Sequence, residues 1–160
     1  MQIYLIFHQF NTEMQKIPTV NFSNADIQVR LSKKSVIKQN IINMFETEDI
    51  QLKALEYIFC SDEYLLKINK QFLKHDFYTD VVTFDLSEPE GGTIGEIYIS
   101  IERVMENAAG LNVPWQNELL RVIFHGALHL CGYGDKTKSE ILKIRDQEDH
   151  YIRLMQEEKS

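Results

Sequence analysis

The chain has 160 residues, 44% of them hydrophobic and 26% charged, with 24 carboxylates against 17 lysines and arginines and a formal net charge of −7. That is an ordinary globular composition, long enough for one domain with a real core; the domain is assigned to residues 1–160, with 1–15 a possible N-terminal extension. The acidic balance excludes broad nonspecific nucleic-acid binding but leaves room for a local basic groove.

Cys60 and Cys131 are the only cysteines, too few for a disulfide scaffold, and their apolar surroundings suggest a reducing cytoplasm. No run approaches membrane-spanning length, so no membrane partner is expected. The first residues are apolar but lack a basic n-region and a small-residue cleavage site, so they do not read as a signal peptide. Ile3–Phe7 is either a short strand or part of an upstream extension, with Met14 a plausible alternative start.

A short strand is expected around Val20–Phe22. Ser32 can cap a helix running to about Phe45, with Val36, Ile37, Ile41, Ile42 and Phe45 on its apolar side. Leu52–Cys60 alternates and then turns continuously apolar, which suits a central strand. Ser61 caps a helix through about Phe72. Two further strands follow at Val81–Phe84 and Ile94–Ile99, joined by the turn-rich Pro89–Gly92. Ser100 caps a helix to about Ala109, Pro114 opens the next, and an amphipathic helix runs from about Lys138 to Glu157. Helices and strands do not alternate regularly, so the fold class is α+β with a mixed sheet. Basic side chains gather at Lys33, Lys34 and Lys38, and at Lys67, Lys70, Lys74 and His75; acids gather towards the C-terminus at Glu148–Asp149 and Glu157–Glu158.

The helix opened by Pro114 carries the chemistry. Residues 125–135 read HGALHLCGYGD, an HxxxHxxGxxD pattern. Side chains four apart on a helix differ by only about 40°, so His125 and His129 can point at one ion. Gly132 can end the helix in a left-handed turn that returns Asp135 to the same ion. Two imidazoles and one carboxylate leave a fourth tetrahedral position open, as in a catalytic zinc site. On a helical wheel Leu119, Leu120, Ile123, Phe124, Ala127 and Leu130 form the apolar face, and both histidines share the other with Glu118 and Arg121. An ordinary solvated polar face is the competing explanation, and the Gly-x-x-Asp continuation argues against it. Cys131 lies about 200° round from His129 and is expected to be a small buried hydrophobe. Gly126 stands where an HExxH metalloprotease has its glutamate base, which argues against peptide hydrolysis. Asp80 ends the loop just before the strand Val81–Phe84 and Glu96 lies within the next strand; a turn-capping carboxylate and a surface strand residue are the plain explanations for them.

Three blocks together resemble the YbeY family of bacterial endoribonucleases, the rRNA maturation factors. The histidine block resembles HGxLHLxGYDH, residues 68–84 (INKQFLKHDFYTDVVTF) resemble LNxxYRGKDxxTDVLSF without gaps, and residues 94–100 (IGEIYIS) resemble LGDIxIS. In this order the blocks cover roughly residues 20 to 150. The resemblance implies an α+β, metal-dependent hydrolase of single-stranded RNA, acting on ribosomal RNA ends and in ribosome quality control. Its partners would be ribosomal RNA and the ribosome or its small subunit. His125 and His129 fall on the family's first two metal ligands. Asp135 falls on the third, usually histidine, and carboxylate oxygen binds zinc at a similar distance. The family arginine falls on Leu73, which cannot pair with phosphate. Lys74, His75 and Arg121 are then the candidates to hold phosphate, and Asp80 shapes the groove, around one Zn2+ that activates water. The competing reading is a non-catalytic ribosome-assembly factor with a structural metal.

Overall fold

The computed structural model describes residues 17–157, so the expected strand at Ile3–Phe7, the extension over 1–15 and the start at Met14 lie outside the described residues. Four strands, β1 (Thr19–Asn24), β2 (Leu52–Cys60), β3 (Val81–Asp85) and β4 (Thr93–Ser100), form one sheet in the order β1-β2-β4-β3. β1, β2 and β4 run parallel and β3 is antiparallel on the edge. Around them lie α1 (Lys34–Thr47), α2 (Asp62–Ile68), α3 (Ile101–Leu111), α4 (Trp115–Leu130) and α5 (Lys138–Glu157). The architecture is therefore the expected α+β with a mixed sheet.

Strand alternation sorts the two faces. Leu55, Tyr57 and Phe59 of β2, with Ile97 and Ile99 of β4, point into one core shared with Ile41, Met44 and Phe45 of α1 and Leu119, Ile123, Phe124 and Ala127 of α4. The Tyr57 hydroxyl donates to the Ile123 carbonyl at 2.9 Å, tying α4 to the central strand. The opposite face is only partly covered, by a small cluster of Cys60, Leu65 and Val82 edged by Tyr64, Phe84 and Tyr98. Glu96 belongs to that second face, where it accepts a 2.9 Å hydrogen bond from the Tyr98 hydroxyl, and so behaves as a half-buried strand residue.

Helix starts follow the expected chemistry at two places and depart from it at a third. Ser61 and Ser100 each accept from a backbone N–H three residues on, Tyr64 and Arg103. Ser32 does not cap α1: Lys33 takes the N-cap position in a left-handed conformation (φ 57°) and no side chain caps the end. The helix expected through Phe72 is regular only to Ile68 and then widens into a π-helical turn, Asn69–Leu73. α5 begins with a reciprocal capping box, in which Thr137 Oγ1 accepts from Glu140 N while Glu140 accepts from Thr137 N.

Gly126 shows how tightly α4 lies on the sheet. A Cβ there would stand 2.8 Å from Ile97 Cγ2 and 3.0 Å from its Cδ1. Ile97 is fully buried in an inner strand and cannot yield easily. Alanine would gain about 1 kcal/mol of helix propensity, but overpacking costs roughly 1–3 kcal/mol. Gly126→Ala is therefore expected to lower the urea midpoint of unfolding, by a net of about 1 kcal/mol; an unchanged or raised midpoint would show that α4 can shift outward.

Candidate metal centre

α4 presents His125 and His129 on adjacent turns, as their spacing predicts. The helix stops at Leu130, Gly132 adopts φ +96°, and the chain turns back to bring Asp135 beside both rings. The Nε2 atoms of the two histidines lie 2.9 Å apart, and Asp135 Oδ2 is 3.7 Å from that of His125 and 3.4 Å from that of His129.

The partners of the other ring nitrogens determine what these three atoms are. His129 Nδ1 lies 2.8 Å from the Tyr133 carbonyl, which can only accept, so this nitrogen carries the hydrogen. His125 Nδ1 lies 2.7 Å from Glu148 Oε1, an acceptor whose other oxygen takes a 2.9 Å bond from Arg121 Nη1. When both rings are neutral, as metal ligands must be, each turns a lone pair towards the other, and Asp135 adds a third. Three acceptors converging with no hydrogen among them repel one another unless a cation lies between them. Tetrahedral zinc with bonds of about 2.05 Å would hold its ligands about 3.3 Å apart, and the observed 2.9–3.7 Å brackets that value. His125, His129 and Asp135 are thus a group that could hold a metal ion.

Glu148 is the functional residue that sequence reading missed, having counted it only as part of an acidic cluster. It is 3% exposed and lies on the buried stripe Ile144–Glu148–Tyr151–Met155 of α5. That signal was present in the sequence: a lone carboxylate at helical spacing within an apolar stripe needs a buried partner. Its partners are His125 and Arg121, and Arg121 Nη2 reaches Asp149 as well, at 2.7 Å. Burial pulls the His125 imidazole towards its neutral form, but the hydrogen bond and charge of Glu148, with Asp80 and Asp135, outweigh it and raise its pKa. Further out, Glu48 accepts from the hydroxyls of Tyr133 (3.0 Å) and Tyr151 (2.8 Å), holding the segment whose carbonyl orients His129.

The polar face of α4 is consequently not a solvated surface but one wall of a cleft of about 710 Å³, whose lining includes Asp80, Glu118, Arg121, His125 and Asp135. Asp80 is held by Asn107 Nδ2 at 3.3 Å. Of the residues expected at the site, Asp80 and Arg121 do come together with the metal group, and Arg121 is already matched by two carboxylates. Lys74 and His75 do not line this cleft; they lie on an exposed loop after the π-helical turn. Leu73, at the family arginine position, is 41% exposed. Cys131 is half-buried rather than buried, and burial pushes its thiol up to about 12.

Glu118 has only 7% of its surface exposed. Burial, opposed by Arg121 and reinforced by Asp80 and Glu148, raises its carboxyl above the ordinary 4.5. The folded chain then binds this proton more tightly than the unfolded chain, so the contribution to stability is fully present below pH 4.5 and is lost as pH rises. Glu118→Gln is expected to raise the melting temperature near pH 7 and to leave it unchanged near pH 4. Equal melting temperatures at both pH values would contradict this.

Comparison with known proteins places the chain in a family. A Thermotoga maritima protein solved in solution superposes with a TM-score of 0.58 at 26% identity, covering 88% of this chain and 91% of that one. A Cytophaga hutchinsonii protein named Endoribonuclease YbeY is 44% identical over 87% of this chain and 97% of its own. A Flavobacterium psychrophilum protein of the same name is 43% identical over 82% and 93%. Residues 19–156 match the family described as Endoribonuclease YbeY, and the chain belongs to that family of endoribonucleases.

Proposed function

We propose that this protein is a zinc-dependent endoribonuclease that hydrolyses single-stranded RNA in ribosomal RNA maturation and ribosome quality control. It would work in the cytoplasm on ribosomal RNA and the ribosome or its small subunit. The observation that carries the reading is the convergence of His125, His129 and Asp135 lone pairs at the end of an open cleft. Zinc bound there would lower the pKa of water and polarise a phosphoryl oxygen. The chain's own groups do the rest. Glu148 and the Tyr133 carbonyl hold the two imidazoles in the ligating tautomer. Asp80, fixed by Asn107, offers a carboxylate beside His125, and Gly126, pressed against Ile97, has no room for a protease-type glutamate base. No described helix is long and apolar enough to cross a membrane.

The test is metal analysis of the purified protein, followed by cleavage of a fluorescent single-stranded RNA with chelator and with zinc restored. Cleavage that chelator silences and zinc restores, in a chain that stays folded, supports the proposal. A zinc-loaded protein that leaves RNA intact and unfolds on chelation would instead identify an assembly factor with a structural metal. The endoribonuclease names of the relatives do not favour that alternative.

A further inference from the structure

The loop between α2 and β3 carries an unusual surface. Phe72 is 60% exposed, Phe77 57% and Tyr78 53%, with Leu73 beside them. Scattered apolar side chains on a surface need no explanation, but this many large ones within seven consecutive residues mark a contact site. The rings are held in place even though they are exposed. Phe72 packs edge-on against Phe84 with centroids 5.7 Å apart, and Phe77 stacks on His75 at 5.1 Å. Arg103, anchored by Asp62, sits 5.1 Å over the Tyr78 ring. The buried Asn69 side chain donates to the Phe77 carbonyl at 2.9 Å, and Lys70 pairs with Asp76 at 2.7 Å across the loop.

The backbone here is also irregular. Asn69–Leu73 is a π-helical turn and Lys74 follows it with φ 56°, a conformation costly for a residue with a side chain. Lys74 has no ion-pair partner among the described residues. Residues 67–78 hold three lysines against one aspartate in a chain of net charge −7. Lys67 pairs with Glu63 and Lys70 with Asp76, so Lys74 is the lysine available to a phosphate. Preordered rings interleaved with cations, on an otherwise acidic protein, fit a polyanion whose units carry flat apolar faces. Phe72 lies with Phe84 on the sheet face away from α4. Six residues beyond Lys74 the same loop reaches Asp80, at the start of the edge strand β3 and in the lining of the cleft with His125.

Resting on the endoribonuclease reading above, we propose that Phe72 and Phe77, with Lys74 between them, form a stacking platform for unpaired bases that leads single-stranded RNA past Asp80 into the metal cleft. Bases stack on the two rings and Lys74 takes a backbone phosphate. Strand selectivity follows, because bases inside a duplex have no free face to offer.

The probe is a 2′-O-methyl single-stranded RNA containing 2-aminopurine, which resists cleavage and loses fluorescence on stacking, with a duplex of the same sequence alongside. Phe72→Ala and Phe77→Ala are each expected to weaken single-strand binding roughly 5- to 100-fold, to diminish the quenching, and to leave duplex binding and melting temperature unchanged. Lys74→Ala should flatten the salt dependence of binding by about 0.7 in log–log slope, which the ring variants leave alone. If the wild type cleaves RNA while both ring variants bind and quench as it does, the platform is wrong and the nuclease reading stands. A zinc-loaded wild type that neither binds nor cleaves RNA overturns both. Retained RNA affinity in the variants with a lost protein partner would identify the patch as a protein-docking surface instead.

Discussion

His125→Ala is expected to leave the purified protein without stoichiometric metal and to reduce RNA cleavage by about three orders of magnitude. Removing one imidazole leaves one ring and one half-exposed carboxylate, too few donors to hold zinc against water. The several kcal/mol that a Lewis acid supplies to the transition state is lost with the ion, and each 1.36 kcal/mol is a factor of ten. His129→Ala should behave alike, because its Nε2 stands at the same convergence. Asp135 is a looser member, 46% exposed on its side chain and carried by a loop, so Asp135→Ala should weaken metal binding less than either histidine change. Asp135→His should keep the metal, since imidazole and carboxylate bind zinc at similar distances. Metal content by mass spectrometry and cleavage of one RNA substrate check all four. A His125→Ala protein retaining stoichiometric metal and full cleavage would mean the ion is held elsewhere.

Glu148→Ala is expected to weaken metal binding 10- to 100-fold, although Glu148 is not one of the three proposed ligands. It fixes the His125 ring through Nδ1, and losing such an outer partner frees the ring and lowers its basicity. The same substitution should destabilise the chain by about 3 kcal/mol, because it breaks a largely buried charge pair and leaves Arg121 with Asp149 alone. The figure is taken at the low end of the range for buried pairs because the Arg121 side chain is 36% exposed. Glu148→Gln retains an acceptor for His125 but not the charge, so it should keep more of the stability while still losing metal affinity. Competition against a chromophoric chelator measures the first effect and urea unfolding the second. A Glu148→Ala protein with wild-type zinc affinity would show that α4 alone orients His125.

Much of this molecule is legible in its sequence. Period-two alternation in Leu52–Cys60 specified an inner strand, and Ser61 and Ser100 marked helix starts that the backbone takes up. Sequence reading failed where two backbones decide together. Ser32 was a sound cap candidate, but the left-handed Lys33 moved the start of α1. The widening of α2 begins at Asn69, whose buried side chain donates to the Phe77 carbonyl across the loop, a contact no local pattern announces. The histidine face of α4, read as a metal site against the competing explanation of a solvated surface, is one wall of a cleft because α5 lies across it.

The metal group itself is a local property of the chain. Spacing of four on a helix and a glycine that can adopt φ +96° place His125, His129 and Asp135 together almost regardless of the rest of the fold. What converts those donors into an oriented site is not local. Glu148 lies 23 residues from His125, and Glu48 lies 85 from Tyr133. Periodicity can show that Glu148 is buried, but only the way α5 crosses α4 determines which ring it meets.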